Sequence, residues 1–105
     1  MSKQRWVRGK GDFLAFSGPC LLTHVIVYPD AADDYADVYD GRDATVGTKL
    51  ARFRSADKGT RQFDFAGGLL MDGGIYVAAF DSAVETTIAF IPERHFMPGG
   101  AVEES

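Results

Sequence analysis

The sequence has one cysteine, Cys20, so an intrachain disulfide is impossible and folding in a reducing compartment is the natural reading. It has no apolar run approaching the roughly 20 residues of a membrane helix, and no sustained apolar core precedes Gly11. The expectation is a soluble protein made in the cytoplasm, without membrane insertion. Positive charge is in deficit: 11 lysines and arginines face 15 acidic residues, for a net charge of −4. Backbone recognition of nucleic acid rewards the opposite balance. Histidine is also scarce. His24, His95 and Cys20 lack the close spacing of a structural zinc motif.

What is present is a sheet-forming pattern. With 46% hydrophobic residues over 105 positions, the chain can bury one core, and two independent domains would be small. Twelve glycines suit many short turns. The central unit is Asp37-Val38-Tyr39-Asp40-Gly41 followed by Gly47-Thr48-Lys49-Leu50-Ala51-Arg52-Phe53, two β-like segments joined through an Asp-Gly turn and a short polar loop.

Other strands follow the same logic. Phe13–Phe16 is the first, broken by Ser17-Gly18-Pro19. Cys20 to Tyr28 is the clearest central strand; strict alternation places His24 with Leu22 and Ile26, as a structural or interface histidine. Cys20 reads as a small buried residue. Tyr35–Tyr39 and Thr48–Arg54 continue the series. Arg61–Phe65 alternates so that Phe63 and Phe65 become core anchors, and Gly67-Gly68 permits a bend. Ile75–Phe80 and Thr86–Ile91 are expected to form a final antiparallel pair. Little helical periodicity remains, so the fold class is all-β: an antiparallel β-sandwich, jelly-roll-like, or a small β-barrel. Residues 1–12 read as a flexible or partner-binding arm, 13–91 as the β domain, and 92–105 as a flexible tail.

Catalysis finds no foothold. Ser17, His24 and an aspartate make no recognisable triad, since no nucleophile elbow or oxyanion hole accompanies them. The paired glycines lack the lysine and strand-to-helix context of a phosphate loop. Asp30, Asp33, Asp34, Asp37, Asp40 and Asp43 could offer oxygens to calcium, yet their spacing is not that of the twelve-residue calcium loop. They read as a solvated, turn-rich face. The expectation is a non-enzyme with no cofactor and no metal.

Val38-Tyr39-Asp40-Gly41, Gly47-Thr48-Lys49-Leu50-Ala51 and Gly73-Gly74-Ile75-Tyr76-Val77, with Thr86-Thr87-Ile88-Ala89-Phe90, carry a resemblance. They are similar to small all-β proteins encoded in tailed-bacteriophage structural regions, over about residues 13–91. The resemblance implies a virion component, in head decoration or in the connector or tail, located in the virion after assembly in the host cytoplasm. Its expected partners are copies of itself and other phage structural proteins. Trp6, Tyr35, Tyr39, Arg52 and Arg54 are the expected interface residues, because aromatic and arginine side chains combine contact area with polarity. The alternative is a small carbohydrate- or peptide-binding β module, with Tyr28, Tyr35, Tyr39 or Tyr76 converging on a groove.

Overall fold

The computed structural model describes residues 4–92. Eight strands form in chain order: β1 (Arg5–Lys10), β2 (Phe13–Ser17), β3 (Cys20–Tyr28), β4 (Tyr35–Asp40), β5 (Thr48–Arg54), β6 (Arg61–Met71), β7 (Gly74–Ala79) and β8 (Glu85–Pro92). They build two four-stranded antiparallel sheets, ordered β1-β8-β3-β6 and β2-β7-β4-β5. The pairing is nested: β1 with β8, β2 with β7, β3 with β6 and β4 with β5. Among the described residues the sheets pack together without closing into a barrel.

Each sheet gives one face to a shared core. Cys20, Leu22, Val25, Val27, Ile88 and Phe90 come from the first sheet, and Ala36, Val38, Phe53, Ile75 and Val77 from the second. Burial at this level is the main favourable term available to a domain of this size. Aromatic contacts cross between the sheets at two places. Phe16 of β2 meets Phe90 of β8 at 4.9 Å between ring centroids. Phe53 of β5 meets Phe63 and Phe65 of β6 at 5.0 and 5.8 Å, as their alternation predicts. Cys20 is fully buried, and that burial, followed by the nearby Asp40 charge, pushes its thiol up to about 12.

Four expectations need correction. The supposed N-terminal arm is strand β1 over Arg5–Lys10, paired to β8 from Arg5↔Phe90 to Lys10↔Glu85. Its inward positions are the modest Val7 and Gly9, so its apolar signal is weak; Gly9 is bare because a Cβ there would lie 2.4 Å from the Phe13 ring. Second, β7 and β8 are not partners: they belong to different sheets, and their short connection crosses from one to the other. Third, a bulge at Thr23 reverses the parity of β3, so His24 faces outward while Leu22 is buried. Fourth, Arg61–Phe65 is only the first part of β6, which continues to Met71 through the bend that Gly67 and Gly68 permit. Its register jumps from Asp64 to Leu69, the two glycines take φ of 79° and 80°, and a Cβ on Gly68 would strike Leu21. The tail expected over 92–105 lies outside the described residues except for Pro92, which ends β8.

Gly74 is the most constrained turn position. Its φ is +137°, and a Cβ would lie 2.4 Å from the Phe16 carbonyl oxygen. Gly74→Ala is therefore expected to destabilise the domain by about 2–4 kcal/mol, measured by urea unfolding. Thr86 offers the opposite case: its Oγ1 is fully buried and has no hydrogen-bond partner among the described residues. Thr86→Val keeps the shape and removes the orphan hydroxyl, so the same measurement should show a gain of about 1 kcal/mol.

Candidate functional site

With the inner faces consumed by the core, the side chains open to a partner lie on the outer faces. The outer face of the second sheet is a grid fixed by register. One row runs Leu14, Tyr76, Tyr39, Lys49 across β2, β7, β4 and β5. The next runs Ala78, Asp37, Arg52. The third runs Phe80, Tyr35, Arg54, with the Phe80 N–H donating to the Tyr35 carbonyl at 2.9 Å. Alternation from the inward-facing Ile75, Val77, Ala36, Val38 and Phe53 puts these residues on one side.

The grid has an aromatic centre. Tyr35 and Phe80 meet edge-on at 5.3 Å, and Tyr39 and Tyr76 at 6.4 Å. Such cross-strand aromatic pairs stabilise the sheet that carries them. They also leave apolar surface uncovered: Phe80 is 54% exposed and Leu14 44%. The Tyr76 phenol is pushed above its usual value, first by burial and then by the charges of Asp12 and Asp43.

Between the aromatic pairs sits an ionic cluster. Asp37, buried to 6% exposure, accepts two hydrogen bonds from Arg52, Nε to Oδ1 at 2.8 Å and Nη2 to Oδ2 at 3.1 Å. Lys49 Nζ approaches Oδ2 at 3.1 Å. The Arg52 guanidinium lies 3.7 Å from the Tyr35 ring centroid. This fork fixes Arg52 flat on the face, where its charge and plane are available together. Arg54 makes no ion pair among the described residues.

Four of the five expected interface residues, Tyr35, Tyr39, Arg52 and Arg54, thus share one face. Trp6 does not. It lies on the outer face of the first sheet, in the row Trp6, Ala89, His24, Asp64. Ala89 is small enough for the indole to reach across and stack on His24 at 5.5 Å with planes 5° apart. His24 Nδ1 then meets Asp64 Oδ1 at 2.7 Å, and Gln62 donates to the same oxygen at 2.8 Å. Tyr28 is on this face too, under the Arg8 guanidinium at 4.1 Å. Leu14, Tyr76 and Phe80 were missed as members of the interface set. Tyr76 and Phe80 shared a parity in the sequence, but only the β7–β4 pairing brings them beside Tyr39 and Tyr35.

Three of the six central aspartates, Asp34, Asp40 and Asp43, act as local braces. Asp34 Oδ2 accepts from Asp30 and Ala31 N–H, and Asp43 Oδ1 from Thr45 and Val46 N–H. Asp40 accepts from Asp72 and Gly73, tying β4 to the β6–β7 turn. Among the described residues no group of three or more histidine, cysteine or acidic side chains is arranged to hold a metal ion. No helix there is long and apolar enough to cross a membrane. A shallow recess of about 330 Å³ beside the grid is lined by Lys10, Asp12, Phe80, Asp81 and their neighbours. No protein-family model, curated protein or solved structure matches the chain.

The buried Asp37 has a clear acid signature. Burial alone would raise its carboxyl, but hydrogen bonds and charge from Arg52 and Lys49 hold it below the usual value. A carboxylate depressed in the folded state stabilises above its unfolded value, and that contribution disappears as pH falls through the folded one. Stability should therefore decline as pH drops from about 4 downwards. Asp37→Asn should flatten that decline, measured by urea midpoints across the acid range.

Proposed function

We propose that the chain is a non-enzymatic structural component of a tailed-bacteriophage virion, a jelly-roll domain that works through protein–protein contacts. The observation that carries this reading is the nested order β1-β8-β3-β6 over β2-β7-β4-β5. Eight strands folded as successive nested pairs are the jelly-roll arrangement, a sandwich used by viral shell proteins and also by lectin-type domains. Fold alone does not assign function. The outer grid supports the contact role, because Tyr35, Tyr39, Tyr76 and Phe80 surround an arginine fixed by Asp37, the residue types that anchor protein interfaces.

Head decoration and the connector or tail are the virion positions this reading covers. The chain would be made in the host cytoplasm and end in the particle. A rigid sheet face loses little conformational freedom on docking, which favours association without large rearrangement.

A second reading has its own observation. Three of the four tyrosines, Tyr35, Tyr39 and Tyr76, lie on the same face, which is what a carbohydrate- or peptide-binding module would require. Tyr28 lies on the other sheet, away from them. The face is an open sheet surface, whereas small-ligand sites are typically concave.

Co-sedimentation with assembled shells or tails from the encoding phage separates the two. Saturable association, weakened about tenfold or more by Phe80→Ser with Tyr35→Ser, is the expected result. Absence of particle association, together with binding of a glycan or peptide at the same tyrosines, would replace the virion reading with the ligand-binding one.

A further inference from the structure

The outer grid of the second sheet is asymmetric in charge. Its β5 edge carries Lys49, Arg52 and Arg54, offset by Asp37 alone. The opposite, β2 edge begins at Asp12, whose Oδ1 accepts from the Ala79 N–H at 2.9 Å. Asp12 immediately precedes Phe13, the partner of Val77, so it lies level with Ala78 and in the Asp37–Arg52 row. Its charge is also felt at Tyr76 on this face. Asp81 stands at the same corner, and it lines the recess with Asp12 and with Lys10, so two carboxylates there outnumber one ammonium. Across the face the order is therefore acidic, aromatic, basic.

Such a pattern fits its own image. We propose that this face seats a second copy of the chain about a twofold axis running nearly along the strands, in the seam between β7 and β4. The inference rests on reading the grid as a protein-contact surface. A twofold axis in the interface exchanges left and right, so every row meets the same row of the other copy, reversed. Asp12 then faces Arg52, and Leu14 faces Lys49, whose methylene stem covers the leucine while its ammonium stays on Asp37. Tyr76 faces Tyr39, and Phe80 faces Tyr35. Opposite charges meet in the Asp12–Arg52 row on both sides of the axis, and the aromatic centre is closed from water. Face-to-face sheets with nearly aligned strands are a normal packing mode, tolerating about 30° between strand directions.

The size of the face sets the strength. Four strands spaced about 4.8 Å apart, and rows spanning some five residues, give on the order of 400 Å² of projected surface per copy. That is about half the area each partner contributes to a standard stable interface. The dimer is therefore concentration-dependent in solution and reinforced where copies are held close together.

Light scattering and sedimentation of the full chain, from micromolar to millimolar concentration, should show mass rising towards that of two chains. Phe80→Ser should weaken association about tenfold. Asp12→Asn, which keeps an oxygen for the Ala79 N–H while removing the charge, should weaken it a few-fold, as should Arg54→Glu; added salt should act in the same direction. Geometry is read by oxidative cross-linking of mixed Leu14→Cys and Lys49→Cys chains. Cys20 does not interfere, being fully buried with its thiol pushed up to about 12. A mixed disulfide between the two variants is expected. Constant single-chain mass at every concentration, or preferential linking of Leu14→Cys to itself, would overturn the proposal. Shell association by a strictly monomeric chain would overturn it while leaving the virion role intact. Dimerisation without any particle association would do the reverse.

Discussion

The aromatic contacts that bridge the two sheets govern most of what the structure can present. Phe16 against Phe90 joins the β2 edge of one sheet to β8 of the other, and Phe53 against Phe63 and Phe65 joins the β5 and β6 edges. Because these contacts sit towards different sides of the sandwich, they hold the inner faces together across its width. Every strand is then committed to a parity, and a register slip by one residue would move its apolar set into water. The bulges at Thr23 and between Val38 and Tyr39 adjust parity locally without breaking that commitment.

Once the inner faces are spent, small residues decide what the outer faces look like. Ala89 lies between Trp6 and His24, and Ala78 lies beside Asp37. A larger side chain at Ala89 would block the indole from the imidazole, and one at Ala78 would crowd the space next to the buried carboxylate. Both faces thus use a small central residue to let polar and aromatic neighbours meet. The outcomes differ because their ionic partners differ. Asp64 remains exposed at the edge of its sheet, whereas Asp37 is enclosed by Arg52 and Lys49.

Strand positions were largely legible in the sequence, because alternation and turn residues are local. Thr48–Arg54 and Cys20–Tyr28 fall where β-branched and aromatic residues place them, with the limits the pattern implies. Phe63 and Phe65 turned inward as their spacing required. Partner choice was not legible. β7 and β8 are neighbours in the chain yet lie in separate sheets, since nesting pairs each with a strand far away in sequence. The parity of His24 could not be read either, because a bulge adds a residue without changing composition. β1 escaped notice for a different reason: an edge strand with only Val7 and Gly9 turned inward carries almost no apolar period.

The same division applies to the grid. Tyr35, Tyr39, Arg52 and Arg54 could be grouped from two adjacent strands, whose antiparallel pairing follows from a short connection. Adding Leu14, Tyr76 and Phe80 requires knowing that β7 lies beside β4 and β2 beside β7, both non-local facts. The aspartates show the complementary limit. A run of carboxylates in sequence suggests a common ligand, but Asp34, Asp40 and Asp43 bind backbone N–H groups in separate turns, and Asp37 binds two cations within the sheet. Their spacing reflects the periodicity of turns and strands. The acidic stretch therefore serves chiefly to hold the β4–β5 region in shape, and that shape is what keeps Arg52, Tyr35 and Tyr39 on a single face.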